Sequence, residues 1–338
     1  MPAFGQRWPT RPFTSLVASR VASLVAAIAA SLFCAIASAQ GYPARTVKVI
    51  VPYPPGGATD VLARTASQRL TDLLGRQVVV ENRAGGGGNI GADAVAKSPA
   101  DGYTLLFGGT PTLAINPSLY AKLPFDPLND FSPIGLAGTL ALTLIVSANS
   151  PVQSVADLVA LAKAKPGQLN YASSGVGGTT FLAMEVFKTV AGVRITHIPY
   201  KGTTAGMADM IGGSIDVMFD SWVTSDPMVK TGKLRYLGVA SAKRSAINPS
   251  VPTIGESGYP VEVSVWHGFV APAGSPPEAI TRLSTELTKV TTNSDYRDRL
   301  AAIGMEPLTN TPAEFAAFIR SETVKWAKVV RESGAKAE

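Results

Sequence analysis

Cysteine is almost absent from this 338-residue chain: there is one, Cys34. It lies within the first forty residues, so a chain processed beyond that point has no disulfide, no thiol nucleophile and no cysteine metal site. Histidine is nearly as scarce, with only His197 and His267, and neither stands among acids at metal-ligand spacing. Charge is sparse at 16%. No segment after residue 40 concentrates Lys and Arg, which argues against a nucleic-acid partner. Nor does any later apolar run reach the ~20 residues that cross a bilayer. A hydrophobic content of 46% excludes a disordered chain.

What is present begins with a leader. Arg7, Arg11 and Arg20 form a basic start without acids, Val21–Ile36 is apolar, and Ala37-Ser38-Ala39 is an A-x-A cleavage signal before Gln40. This reads as a secretory signal peptide over 1–39, with the mature protein in the periplasm. Phe33, ahead of Cys34, argues against a lipoprotein signal. Loss of the three arginines takes the formal charge from +6 to +3.

Val47–Leu70 organises the rest. Val47–Val51 is a β-branched run that predicts a buried strand. Pro54-Pro55-Gly56-Gly57 breaks it. Thr59 or Asp60 can cap the helix that follows, whose apolar residues Val61, Leu62, Ala66, Leu70 and Leu73 recur at helical spacing. Strand, glycine turn and exposed helix N-terminus together make an anion site. Strands are expected at Gln77–Glu81 and Tyr103–Phe107, an irregular excursion over Asn116–Pro133, and a crossing strand at Leu140–Val146. A second α/β unit opens with the capping box Ser154-x-x-Asp157 and the helix Val155–Ala164. Its turn, Ser173–Thr179, repeats the strand, glycine turn and helix of the first. Strands then recur at Ile195–Tyr200, Ile215–Phe219 and Leu234–Ala240, with a return crossing at Val263–Val270. Ser275-Pro276-Pro277-Glu278 and Thr311-Pro312-Ala313-Glu314 are expected to be capping boxes of closing helices.

The segments VPYPPGGATD, ENRAGGGGNIGA, KSPADGYTLL, YASSGVGGTTFLA, HIPYKG, GGSIDVMFD and WHGFVAPAGSPPEAI occur in this order. Together they resemble the Bug-type receptors of tripartite tricarboxylate transporters, across essentially all of Gly41–Glu338. The resemblance implies an α/β, two-lobed periplasmic binding protein of the Venus-flytrap, type II-like class with hinge strands. Lobe 1 would hold 40–141 and 265–338, and lobe 2 would hold 142–264. It further implies a small carboxylate ligand held by backbone N–H groups, hydroxyls and water, delivery to membrane subunits of the transporter, no cofactor and a monomer. Carried over by position, the ligand residues would be Tyr53, Ala58, Thr59, Asp60, Gly109, Thr110, Ser174, Gly177, Gly178, Thr179 and Asp220.

Each functional reading has a plainer rival. Gly86-x-Gly88-x-x-Gly91 fits a dinucleotide fingerprint, but a tight turn accounts for it better. Asp60 suits a helix cap before it suits a catalytic acid. Ser173 and Ser174 lack a G-x-S-x-G elbow. His197 reads as a satisfied strand residue, and His267, Trp222 and Trp266 as packing or hinge residues. Lys201 is as much a solvated lysine as a partner for a second carboxylate. Two other functions stay open beside transport: a ligand-presenting sensor subunit, and a secreted enzyme acting on small organic acids. The enzyme would need a base near a nucleophile.

Overall fold

The structure is a computed structural model that describes residue 5, 41–200 and 202–337. The expected leader (but for Gly5) and Lys201 lie outside the described residues. The chain divides at Ala44 and Arg45, and the fold belongs to the unit Arg45–Glu338. No helix among the described residues is long and apolar enough to cross a membrane.

The elements alternate as the sequence pattern predicts. Strand β1 (Val47–Val51) leads through the glycine turn to α1 (Ala58–Leu74), then β2 (Val78–Asn82), α2 (Asn89–Ala96) and β3 (Thr104–Gly109). A π-helical turn at Pro111–Ile115 and the short α3 (Asn116–Leu119) follow. Then come β4 (Phe131–Ser147), α4 (Val155–Ala164), β5 (Asn170–Ser173), α5 (Thr179–Ala191), β6 (Thr196–Pro199), α6 (Thr203–Ile211), β7 (Val217–Ser221), α7 (Trp222–Lys230) and β8 (Leu234–Val239). The chain closes with β9 (Ser264–Pro272), α8 (Pro277–Thr292), α9 (Ser294–Ala302) and α10 (Pro312–Ser333).

Sheet order explains how one chain makes two halves. The sequence of neighbours is β2-β1-β3-β9-β4-β7-β5-β6, with β8 also on β4. From Phe131 to Ala141, β4 pairs antiparallel with β9; from Leu142 onward it pairs with β7 and β8. The strand therefore changes partners between Ala141 and Leu142. β1, β2 and β3 are mutually parallel, as are β5, β6 and β7. Each half is thus a βαβ assembly, and β3 is almost wholly buried, as a strand covered on both faces should be. α10 spans much of the fold, touching the Pro111–Ile115 turn, α3, β4 and α5.

Several local expectations need correction. Phe131–Pro133 belongs to β4 rather than to an irregular excursion, and α3 occupies the start of that excursion. The strand is hidden in the sequence by Pro133, Gly135 and Gly138, which coincide with register shifts against β9. Ser275 does not cap α8. Its hydroxyl donates to the Pro272 carbonyl, and Pro276 stands at the N-cap. Ser154 does cap α4, but Asp157 reaches back to the Gln153 N–H rather than to Ser154. The Thr311–Glu314 box is complete, with both reciprocal hydrogen bonds formed. Helix α7 carries Pro227 in its interior, which conceals it from a propensity reading.

Candidate functional site

The first turn is built around a carboxylate that faces inward. Gly57, not Thr59 or Asp60, is the N-cap of α1, and no side chain caps this helix. Asp60 is buried. Its Oδ2 accepts from the Gly56 N–H at 2.9 Å and from Arg64 Nε at 3.0 Å, and its Oδ1 accepts from Asn82 Nδ2 at 2.8 Å. Burial opposes ionisation, but Arg64, the Gly56 N–H and Asn82 together hold the Asp60 pKa below the ordinary carboxylate value. Asp60 thus holds the turn in shape. The first-turn N–H groups of Ala58, Thr59 and Asp60 have no acceptor within the helix, since the ladder starts at Val61 N–H to Gly57 carbonyl.

Thr59 has a partner that sequence spacing could not suggest. Its Oγ1 lies 2.9 Å from His267 Nε2, across 208 residues of chain. His267 is buried, stacks on Phe107 with ring centroids 5.7 Å apart, and pairs across the β3–β9 ladder with Gly109. A Cβ on Gly109 would sit 2.7 Å from the imidazole Cδ2 and 2.4 Å from the Trp266 carbonyl. The role of Gly109 is therefore to leave room for that ring. Thr110 is fully buried, and its Oγ1 accepts from the Trp266 N–H at 2.9 Å. Both residues are thus committed to packing and hydrogen bonding against β9. Tyr53 is half-buried, but its hydroxyl is enclosed near Gly88 and Thr112 without a hydrogen-bonding partner, and this burial raises its pKa. Only the rest of its ring is available to wall a cleft. The Gly86–Gly88 run is a tight turn, in keeping with the plainer reading of that motif.

At the second turn the local side-chain hydrogen bonds are made by Thr180, not by Thr179. Thr180 Oγ1 accepts from the Ser174 N–H and meets Ser174 Oγ, both at 3.0 Å. Gly178 is the N-cap of α5, with no side-chain cap. Thr179 is half-exposed and makes no side-chain hydrogen bond to the described residues. Gly177 has φ +77°, and a Cβ there would meet Leu119 Cδ2 at 2.4 Å, so this turn abuts α3. Ser173 is fully buried, and its Oγ lies 2.7 Å from His197 Nε2. The same Oγ accepts from the Gly175 N–H. That is a base beside a hydroxyl, which the sequence motifs did not announce. The hydroxyl is sealed inside the turn, and among the described residues no carboxylate hydrogen-bonds His197. The pair fixes a loop.

Asp220 is the electrostatic exception. It is buried at the end of β7, where Oδ1 accepts from the Ser221 N–H at 2.8 Å and Oδ2 has no partner. Burial pushes its pKa up to about 6, and the Ser221 N–H opposes that rise. Trp222 and Trp266 are buried, as packing residues should be.

No basic side chain belongs to either turn, and Arg64 is committed to Asp60. What the two turns offer an anion is neutral donors at two helix N-termini. Such turns on a chain that crosses between two α/β halves define a solute-binding protein of the periplasmic binding protein fold, as in solved relatives.

Comparison with known proteins identifies the kind. Residues 62–335 match the family described as tripartite tricarboxylate transporter family receptor. Protein BugT of Bordetella pertussis is 40% identical over 304 residues, covering 89% of this chain and 93% of that protein. The solved structure of R. palustris Rpa4515 with adipate is 37% identical, with a TM-score of 0.79 over 87% of this chain and 99% of the other. MatC of Rhodopseudomonas palustris with bound malate is 29% identical, with a TM-score of 0.74 over 86% of this chain and 100% of the other. The chain belongs to the tripartite tricarboxylate transporter receptor family.

Proposed function

We propose that this protein captures a small organic carboxylate between its two halves and delivers it to the membrane subunits of a tripartite transporter, without covalent chemistry. The observation that carries the reading is the pair of basic-free glycine turns, one in each half, each opening a helix with unpaired N–H groups. Relatives of the same fold hold adipate and malate, which suits neutral donors arranged for carboxylate oxygens. In this reading lobe 1 comprises 40–141 and 265–338, lobe 2 comprises 142–264, and the partner change in β4 marks the hinge. Ala58, Thr59, Gly178 and Thr179 contact the ligand directly. Tyr53, Asp60, Gly109, Thr110, Ser174, Gly177 and Asp220 shape or line the site. The protein acts as a monomer in the periplasm after loss of 1–39.

The test is titration of the processed protein with adipate, malate, citrate and monocarboxylates, followed by thermal shift and calorimetry. A ligand at a hundredfold excess over its Kd should add about 2.7 kcal/mol of stability. Absence of binding across the panel, or turnover of an acid or its ester, would overturn the proposal.

A further inference from the structure

Each of the two glycine turns is held by one of the only two histidines in the chain. His197 Nε2 bonds Ser173 at the second turn, and His267 Nε2 bonds Thr59 at the first. The two arrangements differ in what they leave free. Ser173 Oγ is already tied to the backbone of Gly175, so its hydroxyl is spent within the loop. Thr59 Oγ1 has no other hydrogen bond among the described residues, and the residue is partly exposed at the mouth of α1.

The buried ring of His267 settles which atom donates. Its Nδ1 is enclosed and has no partner. A neutral imidazole carries one N–H. If that proton sat on Nδ1, a buried donor would be orphaned, whereas a proton on Nε2 leaves only an unfilled acceptor there. Orphaned buried N–H groups are the rarer defect. Nε2–H therefore donates to Thr59 Oγ1. Burial also pushes the His267 pKa down to about 4, so the ring stays neutral at ordinary pH.

We propose that His267 is a positioning residue for ligand capture: its Nε2–H occupies a lone pair of Thr59 Oγ1 and thereby turns the Thr59 hydroxyl proton outward, toward a ligand carboxylate. Thr59 is then a donor by construction. The bare Cα of Gly109 is what admits the ring that enforces it. The inference rests on the carboxylate reading above for its purpose, but its geometry stands alone.

Two measurements test it separately from that reading. Long-range proton–nitrogen NMR of the full processed chain, without ligand, reads the tautomer directly. There are only two histidine spin systems, and His267→Gln assigns them. The expected result is a neutral Nε2–H form of His267 from pH 5 to pH 8, with its signals displaced in Thr59→Val. An Nδ1–H tautomer would overturn the proposal, because Thr59 would then donate inward. The second measurement uses adipate and malate as probes in a double-mutant cycle. Thr59→Val and His267→Phe should each raise Kd about tenfold, and the double variant should lose no more than either alone. His267→Gln, which keeps an amide donor, should stay within about threefold of the parent. Additive losses, or parental affinity in His267→Phe, would overturn it. If His267→Phe does not fold, Thr59→Val and His267→Gln still carry the comparison. If neither probe binds, it is the carboxylate reading that fails, and the tautomer decides the positioning role by itself.

Discussion

Replacing Asp220 with asparagine should stabilise the ligand-free protein at neutral pH and leave it unchanged in acid. Asp220 is buried, one oxygen lacks a partner, and its pKa is pushed up to about 6 from the ordinary 3.8. A raised carboxylate pKa means the folded state holds a proton that the unfolded state has released. Between about pH 4 and pH 6 the unfolded chain therefore binds fewer protons, and stability falls as pH rises through that window. Above it the full penalty persists. A shift of about two pH units at 1.36 kcal/mol each amounts to roughly 3 kcal/mol. Asparagine keeps the acceptor for the Ser221 N–H and carries no charge, and its amide N–H can turn to the Thr203 or Thr224 hydroxyl. The gain at pH 7.5 should be about 2–3 kcal/mol, or roughly 5 °C in melting temperature for a chain of this size. At pH 4 the two proteins should melt together. Scanning calorimetry of dialysed parent and variant at both pH values makes the measurement. An equal difference at both pH values would refute the reasoning, since it would mean that shape rather than ionisation sets the effect. Destabilisation at pH 7.5 would refute it too, by showing that the charge is compensated.

Thr179→Val should raise Kd ten- to hundredfold, equivalent to one charge-assisted hydrogen bond of about 1.5–3 kcal/mol, with the apo melting temperature unmoved. Thr180→Val should do the reverse to apo stability, lowering it by about 1 kcal/mol because the Ser174 N–H loses its acceptor; calorimetry and a binding titration on the same samples check both. Affinity should change little across a tenfold range of ionic strength, because the donors in the two turns are neutral, and isothermal titration would expose a hidden cation as a steep loss. Saturating ligand should shrink the radius of gyration in small-angle scattering, and an unchanged radius would count against closure about β4.

Much of this architecture is legible in the chain itself. Val47–Val51 is a strand to the residue, the helix Val155–Ala164 is bounded by its Ser154 cap, and the two glycine turns stand where their glycines, with Pro54 and Pro55 in the first, place them. These are local signals, carried by dihedral limits and by one hydrogen bond apiece. What resisted reading was non-local. Phe131–Pro133 reads as the end of an irregular excursion, and proline and glycine interrupt the stretch up to Gly138, yet β9 supplies the pairing that makes it strand. Asp60 looked like a cap because it begins a helix; its true partners include Asn82, which is near only after β1 and β2 pair. His267 looked like a hinge residue, and its link to Thr59 exists only once β9 returns beside β3. Thr179 and Thr180 are the same residue type, so sequence does not distinguish them, and it is Thr180 that the folded turn sets against Ser174.

The return of the chain has a consequence for how such receptors diversify. Leu142, where β4 takes its new partners, accepts a hydrogen bond from the Ala240 N–H, and Ala240 in turn accepts one from the Val263 N–H. The whole middle segment thus leaves and re-enters the first half at one spot, on adjacent strands. Inserts with neighbouring ends can be exchanged without rethreading the host. In the proposed reading, each half brings its own helix N-terminus to the ligand. On that reading, a recombination event that swaps the middle segment between two such receptors replaces one end of the recognition surface and leaves the other intact, so new combinations of ligand contacts can arise in a single genetic step rather than residue by residue.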